Sequence, residues 1–278
     1  MGFLKRFARN RGAVVGLGLL LILVVFALIA PYWYPQSPWR VVGRPFVPPF
    51  TLERLPLGTD TLGRDIAAGL VHGARVSLMI GVVSTLVALL IGVPLGAVAG
   101  YAGGLVDDLL MRFTEFFQTI PSFALAIVLV AILQPSLSSI VLAIGIVSWP
   151  PVARLVRGEV LSLRTREYVL AAVTLGQSTP RIIFSQVLPN AVAPIVVLGS
   201  LMIASAVLLE SALSFLGLGD PNQMSWGYMI GAGRARLLDA WWISFFPGLA
   251  IFLAVLALNL AGEGLNDALN PRLSRGRS

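Results

Sequence analysis

The chain has 278 residues, 57% of them hydrophobic and 12% charged, with a formal net charge of +7. A soluble domain carries roughly a quarter charged residues, so much of this chain meets a solvent other than water. It holds no cysteine, which excludes disulfides and thiol chemistry. Its arginines flank apolar runs instead of forming one patch, which argues against nucleic-acid binding.

Uncharged runs cover residues 12–39, 76–106, 116–153, 182–209 and 240–262. A membrane helix needs about 20 apolar residues. The third run is too long for one crossing, and Gln134-Pro135-Ser136 divides it. Six spans follow, over roughly 13–34, 76–99, 113–133, 139–156, 190–209 and 244–265. The fold class is all-α, an integral membrane protein read as a single domain. Its parts are an opening tail and first span (1–34), a loop (35–72), core spans (73–265) and a closing tail (266–278).

The first span follows Lys5, Arg6, Arg9 and Arg11, as a signal peptide would, but its apolar stretch is too long for a signal core. It is read as an uncleaved helix. With the N-terminus inside, thirteen of the 20 basic residues lie in cytoplasmic segments and seven, Arg40, Arg44, Arg54, Arg64, Arg75, Arg234 and Arg236, lie outside. That satisfies the positive-inside rule. It places both termini in the cytoplasm, with the 35–72 and 210–242 segments outside. Tyr32, Trp33, Tyr34 and Trp39 mark the outer interface after span 1, and Trp241, Trp242, Phe245 and Phe246 mark it before span 6.

The outer loop is proline-rich over 35–58 and therefore extended. Thr59 or Asp60 can cap a helix running into span 2. The stretch Gly58, Thr59, Asp60, Gly63, Arg64, Asp65 reads either as a cap and turn or as a surface for a partner protein. His72, the sole histidine, lies at the edge of span 2. Span 4 passes through Trp149-Pro150-Pro151 and continues as a polar helix past the membrane. After span 5, Gly217, Gly219 and Pro221 forbid a continuous helix in SFLGLGDPNQMSWG, which reads as an outer re-entrant turn or gate containing Phe215 and Trp226. Gly81, Ser84, Gly92, Gly145, Ser148, Ser200 and Ser205 either line a path between spans or pack helices together.

Several activities fail on residue types. A phosphate-binding loop needs a glycine-rich turn ending in Lys-Ser/Thr, yet the sole lysine is Lys5 in the tail. The chain cannot hydrolyse ATP by that route. One histidine builds neither a zinc cluster nor a buried catalytic dyad. Glu115, Glu210 and Glu263 fall at span ends, leaving span centres without the ionisable residues of an ion-coupled transporter.

The segment EYVLAAVTLGQSTPRIIFSQVLPN, residues 167–190, is a broken and half-polar interruption between two apolar regions. Val169, Ala172, Val173 and Gly176 share a face at helical spacing, and Ala171 and Ala172 keep the helix slim. Gly176 suits a C-terminal cap, Ser178 or Thr179 caps the next helix with Pro180 in its first turn, and Pro189 ends it. Two short helices at an angle, without a core of their own, are expected to dock into a partner or to lie on lipid.

This elbow resembles the Glu-Ala-Ala loop of the membrane permeases of binding-protein-dependent, ATP-driven importers. Ala171, Ala172, Gly176, Leu188 and Pro189 match its spacing, while Leu170 stands at the glutamate position and Gln186 at the isoleucine position. PLGTDTLGRD (56–65), AGYAGGLVDDLLMR (99–112), LPNAVAPIVV (188–197), SALSFLGLG (211–219) and the 246–273 stretch are similar to the dipeptide/oligopeptide/nickel group, C-type. The resemblance implies a type I importer permease fold of six spans, non-catalytic and without a cofactor of its own, ATP and magnesium being bound by partner subunits. It implies a homologous B-type permease as the other half of a pore, two ATPase subunits or a fused one inside, and an extracytoplasmic substrate-binding protein outside. Glu167, Leu170, Ala171, Ala172, Gly176, Pro180, Leu188 and Pro189 would then couple to the ATPase. The cargo implied is peptide, with nickel, glutathione or haem as others in the class. A self-contained channel or secondary transporter is the alternative.

Overall fold

A computed structural model describes residues 3–269. The expected tail beyond 269 lies outside the described residues. The order is α1 (Phe3–Arg9), α2 (Arg11–Trp33), α3 (Ile66–Ala102), α4 (Gly104–Thr119), α5 (Ser122–Leu133), α6 (Leu137–Leu163), α7 (Glu167–Thr174), α8 (Thr179–Ile182), α9 (Leu188–Phe215), α10 (Trp226–Gly233) and α11 (Trp242–Leu269). A π-helical turn, Ile183–Val187, joins α8 to α9. Among the described residues, five helices are long and apolar enough to cross a membrane, and the α4–α5 pair makes a sixth crossing if its two halves count as one.

That sixth crossing is where the expected 113–133 helix fails. It breaks at Ile120-Pro121 with a bend of 85°. Proline disfavours the helical region for the preceding residue, and here Ile120 is extended at φ −86°, ψ 127°.

The centre of the bundle is the pair α3 and α6, which run parallel. Gly92, Gly96 and Gly100 form one stripe on α3, facing Val152, Val156 and Val160 on α6 in ascending register. A Cβ on Gly96 would sit 2.3 Å from the Ala153 carbonyl oxygen, and one on Gly100 2.7 Å from that of Arg157. Small residues four apart allow such backbone approach, which in lipid supplies packing that the hydrophobic effect does not. Gly145 meets Val87, and Gly81 meets Val207 of α9. Gly81, Ser84, Gly92 and Gly145 are therefore packing positions, whereas Ser205 is exposed. Arg164 closes the pair by donating from Nη1 to the carbonyls of Gly100 (3.1 Å) and Tyr101 (3.2 Å), a cation on the C-terminal end of α3. Beside it, Arg157 and Asp107 form a two-pronged ion pair at 2.6 and 2.7 Å that fixes α4 against α6.

The bundle has two differently built ends. One carries residues 35–65, the 216–225 turn and α10, and is called the loop end. The other carries α7, α8 and the π turn, and is called the elbow.

Candidate functional site

The elbow forms because the chain leaves α6 at Arg164 and restarts as a helix three residues later, at Glu167. Helix α7 ends in a Schellman motif. Gly176 N–H donates to Val173 O (2.9 Å) and Gln177 N–H to Ala172 O (3.1 Å), with Gly176 at φ +75°. No atom lies within 4 Å of a Cβ built on Gly176, so glycine is required there by backbone angle alone. Ser178 stands at the N-cap of α8 but makes no side-chain cap bond, and Pro180 occupies the first turn.

Pro189 does not end the second elbow helix as expected. The chain from Thr179 to Phe215 runs on as one span-forming helix of 37 residues, with Pro189 inside it. The π turn makes this possible. Leu188 N–H reaches back to Ile183 O, the wide bond of the π turn, and just past the proline the Asn190 side-chain amide donates to the Gln186 carbonyl at 2.6 Å.

Nor is the elbow coreless. Val169, Ala172, Ile182, Ile183 and Val187 are buried with Ala97 of α3 and Val152, Val156 and Val160 of α6. The expected shared face of Val169, Ala172, Val173 and Gly176 is thus split. Val169 and Ala172 point inward, and Ala172 cannot offer itself to a partner. The outward face carries Tyr168, Leu170, Ala171, Val173 and Leu175, with Phe184 beside it from the π turn. Leu175 is 80% exposed and Phe184 71%. Glu167, Pro180 and Pro189 are also exposed, and Leu188 is half-buried.

At the loop end the arrangement is the reverse. Thr59 is fully buried; its hydroxyl donates to Arg44 O (2.7 Å) and accepts from Val47 N–H (2.9 Å), while its carbonyl accepts from the Trp242 indole (3.2 Å). The helix into the bundle is capped not by Thr59 or Asp60 but by Asp65, whose Oδ1 accepts from Ala67 N–H at 2.9 Å. Asp60 is spent elsewhere, accepting from the N–H groups of Leu62 and Arg64 at 2.8 Å. Gly58 and Gly63 have φ of +78° and +77°, and a Cβ on either would lie 2.2 Å from a carbonyl oxygen, of Val47 and Gly43 respectively. Arg64 lies 4.7 Å over the Trp39 ring and 3.5 Å from the Tyr228 hydroxyl. Burial raises the Asp65 carboxyl above its ordinary 3.8, opposed by the N–H groups of Ala67 and Ala68. The Tyr34 hydroxyl is likewise raised, by burial and then by Asp65. His72 Nε2 meets the Tyr34 carbonyl at 2.9 Å, joining α3 to the end of α2.

The 210–226 segment mixes both characters. Gly217, at φ +87°, ends α9 with the same Schellman pattern as Gly176, Gly217 N–H to Ser214 O and Leu218 N–H to Leu213 O. Phe215 is exposed at the turn with Arg234 5.7 Å above its ring. Gly219 packs on Ser214. Trp226 is buried to 1%, its indole donating to Leu70 O at 2.9 Å, so it is an anchor and not a swinging side chain. By sequence Glu210 falls at a span edge. In the structure it is wholly buried, five residues before the end of α9, among Ser77, Ser211 and Ser214. The run of serines at 211, 214 and 225 was the available signal.

The chain is thus a bundle of candidate membrane-crossing helices with a hydrogen-bonded loop end and a jointed elbow. A chain of the inward-facing MetNI methionine ABC transporter superposes with a TM-score of 0.62, covering 73% of this chain and 96% of that one at 17% identity, a likeness of fold. Residues 92–275 match the family described as binding-protein-dependent transport system inner membrane component, and the chain belongs to that family. Residues 2–49 match the N-terminal transmembrane domain of oligopeptide transport permease C. The di/tripeptide transport system permease protein DppC of Pseudomonas aeruginosa is 44% identical, over 98% of this chain and 91% of its own length. The dipeptide permease DppC of Bacillus subtilis is 41% identical over 98% and 85%, and the oligopeptide permease OppC of the same organism 38% over 97% and 88%. The chain is a multi-pass membrane permease subunit.

Proposed function

We propose that this chain is one half of the translocation pathway of an ATP-driven peptide importer, non-catalytic itself and driven through its elbow by ATPase subunits. The elbow faces the cytoplasm together with the N-terminus, and the loop end faces the extracytoplasmic binding protein. A homologous permease completes the pathway, and ATP with magnesium is held by the ATPase subunits. The observation that carries the reading is the elbow's outward apolar face, Leu170, Ala171, Val173, Leu175 and Phe184, on helices rooted in two spans. A surface so placed gains by covering, and what moves it moves α6 and α9 together. Peptide cargo is supported by the relatives, whose names specify dipeptides, di/tripeptides and oligopeptides.

Uptake of labelled dipeptide into proteoliposomes tests the proposal. The assembled importer takes up peptide only with ATP and binding protein, and the lone chain takes up none. Uptake by the lone chain without ATP would overturn the reading in favour of a channel or secondary transporter.

A further inference from the structure

Past the end of α9 the chain turns back into the bundle, and the point that holds it there is Glu210. Its Oε1 accepts from Ser214 Oγ at 2.7 Å on the same helix, and its Oε2 from Ser77 Oγ at 3.3 Å on α3. Ser77 Oγ in turn accepts the N–H of Trp226, the first residue of α10, at 3.2 Å. Around this point the three helices meet almost backbone to backbone. A Cβ on Gly227 would lie 2.6 Å from Ser211 Cα, and one on Gly73 3.3 Å from Trp226 N. Among the described residues none of the ion pairs includes Glu210. A desolvated carboxyl group without a cation is costly to keep, and an apolar side chain of like size would pack the bundle as well. What the apolar side chain could not do is link α9, α3 and α10 by directional bonds.

The far side of the same segment is fastened to a different helix. Asp220 Oδ2 accepts the N–H of Leu137, in the first turn of α6, at 2.9 Å. The 216–225 turn is thus strung between α6 and the Glu210 joint, with Gly217 at positive φ in between. Helix α9 is also the far end of the rod that begins at the elbow, 37 residues from Thr179 to Phe215, about 55 Å at 1.5 Å per residue. A displacement of the elbow reaches Glu210 as movement of that rod.

We propose that Glu210 is a positioning residue through which movement of α9 sets the place of α10 and the 216–225 turn, opening and closing the pathway at the loop end. The inference rests on the reading of the elbow as the point of power input.

The test uses the whole importer in proteoliposomes, with two readouts. One is peptide taken up per ATP hydrolysed. The other is the distance between spin labels on Tyr32→Cys and Ala235→Cys, both exposed positions in a chain without native cysteine, before and after trapping with ATP and vanadate. Glu210→Ala is expected to hydrolyse ATP within about twofold of wild type while uptake falls about tenfold, and the ATP-driven distance change is lost. Glu210→Gln, whose amide oxygen still accepts from Ser77, restores at least half of that change. A Glu210→Ala importer that keeps both the distance change and the uptake per ATP overturns the proposal, as does a proportional fall in uptake and hydrolysis. If Glu210→Ala does not assemble, Ser77→Ala and Ser214→Ala each lower uptake per ATP by about threefold; an unchanged ratio in both overturns it equally. Failure of the wild-type importer to take up any peptide would instead count against the proposed function, and the label distances would still report on the joint.

Discussion

The loop end and the elbow are both places where the chain stops being a simple span, yet they are built on opposite plans. At the loop end polar groups are consumed internally: the Thr59 hydroxyl, the Asp60 carboxylate and the Asp65 cap each find backbone partners within the same knot. At the elbow the inward face is a small apolar core, and the outward side exposes Leu170, Val173, Leu175 and Phe184 beside Glu167 and Thr174. The difference separates two kinds of motif. The most recognisable stretch of sequence, PLGTDTLGRD, holds the protein together, with Gly58, Thr59 and Gly63 all buried. The looser elbow motif, which lacks its glutamate, presents a surface.

The contrast can be broken most violently at the loop end. Gly63→Val forces a branched side chain onto a φ of +77° with a carbonyl oxygen 2.2 Å from its Cβ. A cost of at least about 3 kcal/mol is expected, read as loss of folded protein in detergent-solubilised membranes. Normal yield and melting would show that the knot is not a structural necessity.

A smaller effect is expected where the elbow joins the bundle. Arg157→Ala leaves Asp107, 7% exposed, without its partner. Because the arginine side chain is itself 36% exposed, the loss is put at about 2 kcal/mol, seen as a lower thermal midpoint that the double variant with Asp107→Ala partly recovers.

Smaller still is the effect of charge at the cap. Since burial holds the Asp65 carboxyl above 3.8, the folded state binds its proton more tightly than the unfolded state. This contribution to stability is full below the unfolded value and is lost as pH rises through the raised one. Asp65→Asn keeps a capping oxygen, so it should flatten the pH dependence of melting just above the ordinary carboxylate range while changing stability at neutral pH by less than about 1 kcal/mol. An unchanged slope would mean that the group carries no such penalty.

The sequence disclosed the spans because apolar length is a one-dimensional property, and the observed helices extend the expected ones by a few residues. The helix expected to start at Thr59 or Asp60 and run into span 2 begins instead at Ile66. The sequence points to Thr59 or Asp60 as its cap, and only the tertiary fold decides that Asp60 is occupied with Leu62 and Arg64 and that Asp65 caps instead. The break at Pro121 lay inside an uncharged run, where hydropathy is blind to backbone angles. Gly176 and Pro180 are legible as punctuation, but the π turn before Pro189 is not, because a one-residue widening of the backbone hydrogen bond leaves no mark in residue type. Which side of α7 faces out could not be read from Ala171 and Ala172 alone. It is settled by Val152, Val156 and Val160, which arrive from another helix to cover Ala172.

Single cysteines at Leu170 and Leu175, in a chain that has none of its own, test the central claim most directly through their reactivity with a membrane-impermeant maleimide. Both should react from the cytoplasmic side of the permease alone and become protected when the ATPase subunits bind, with no change in melting. Reaction from the opposite side, or full reactivity in the assembled, transporting complex, would contradict the claim that power enters this subunit through the elbow.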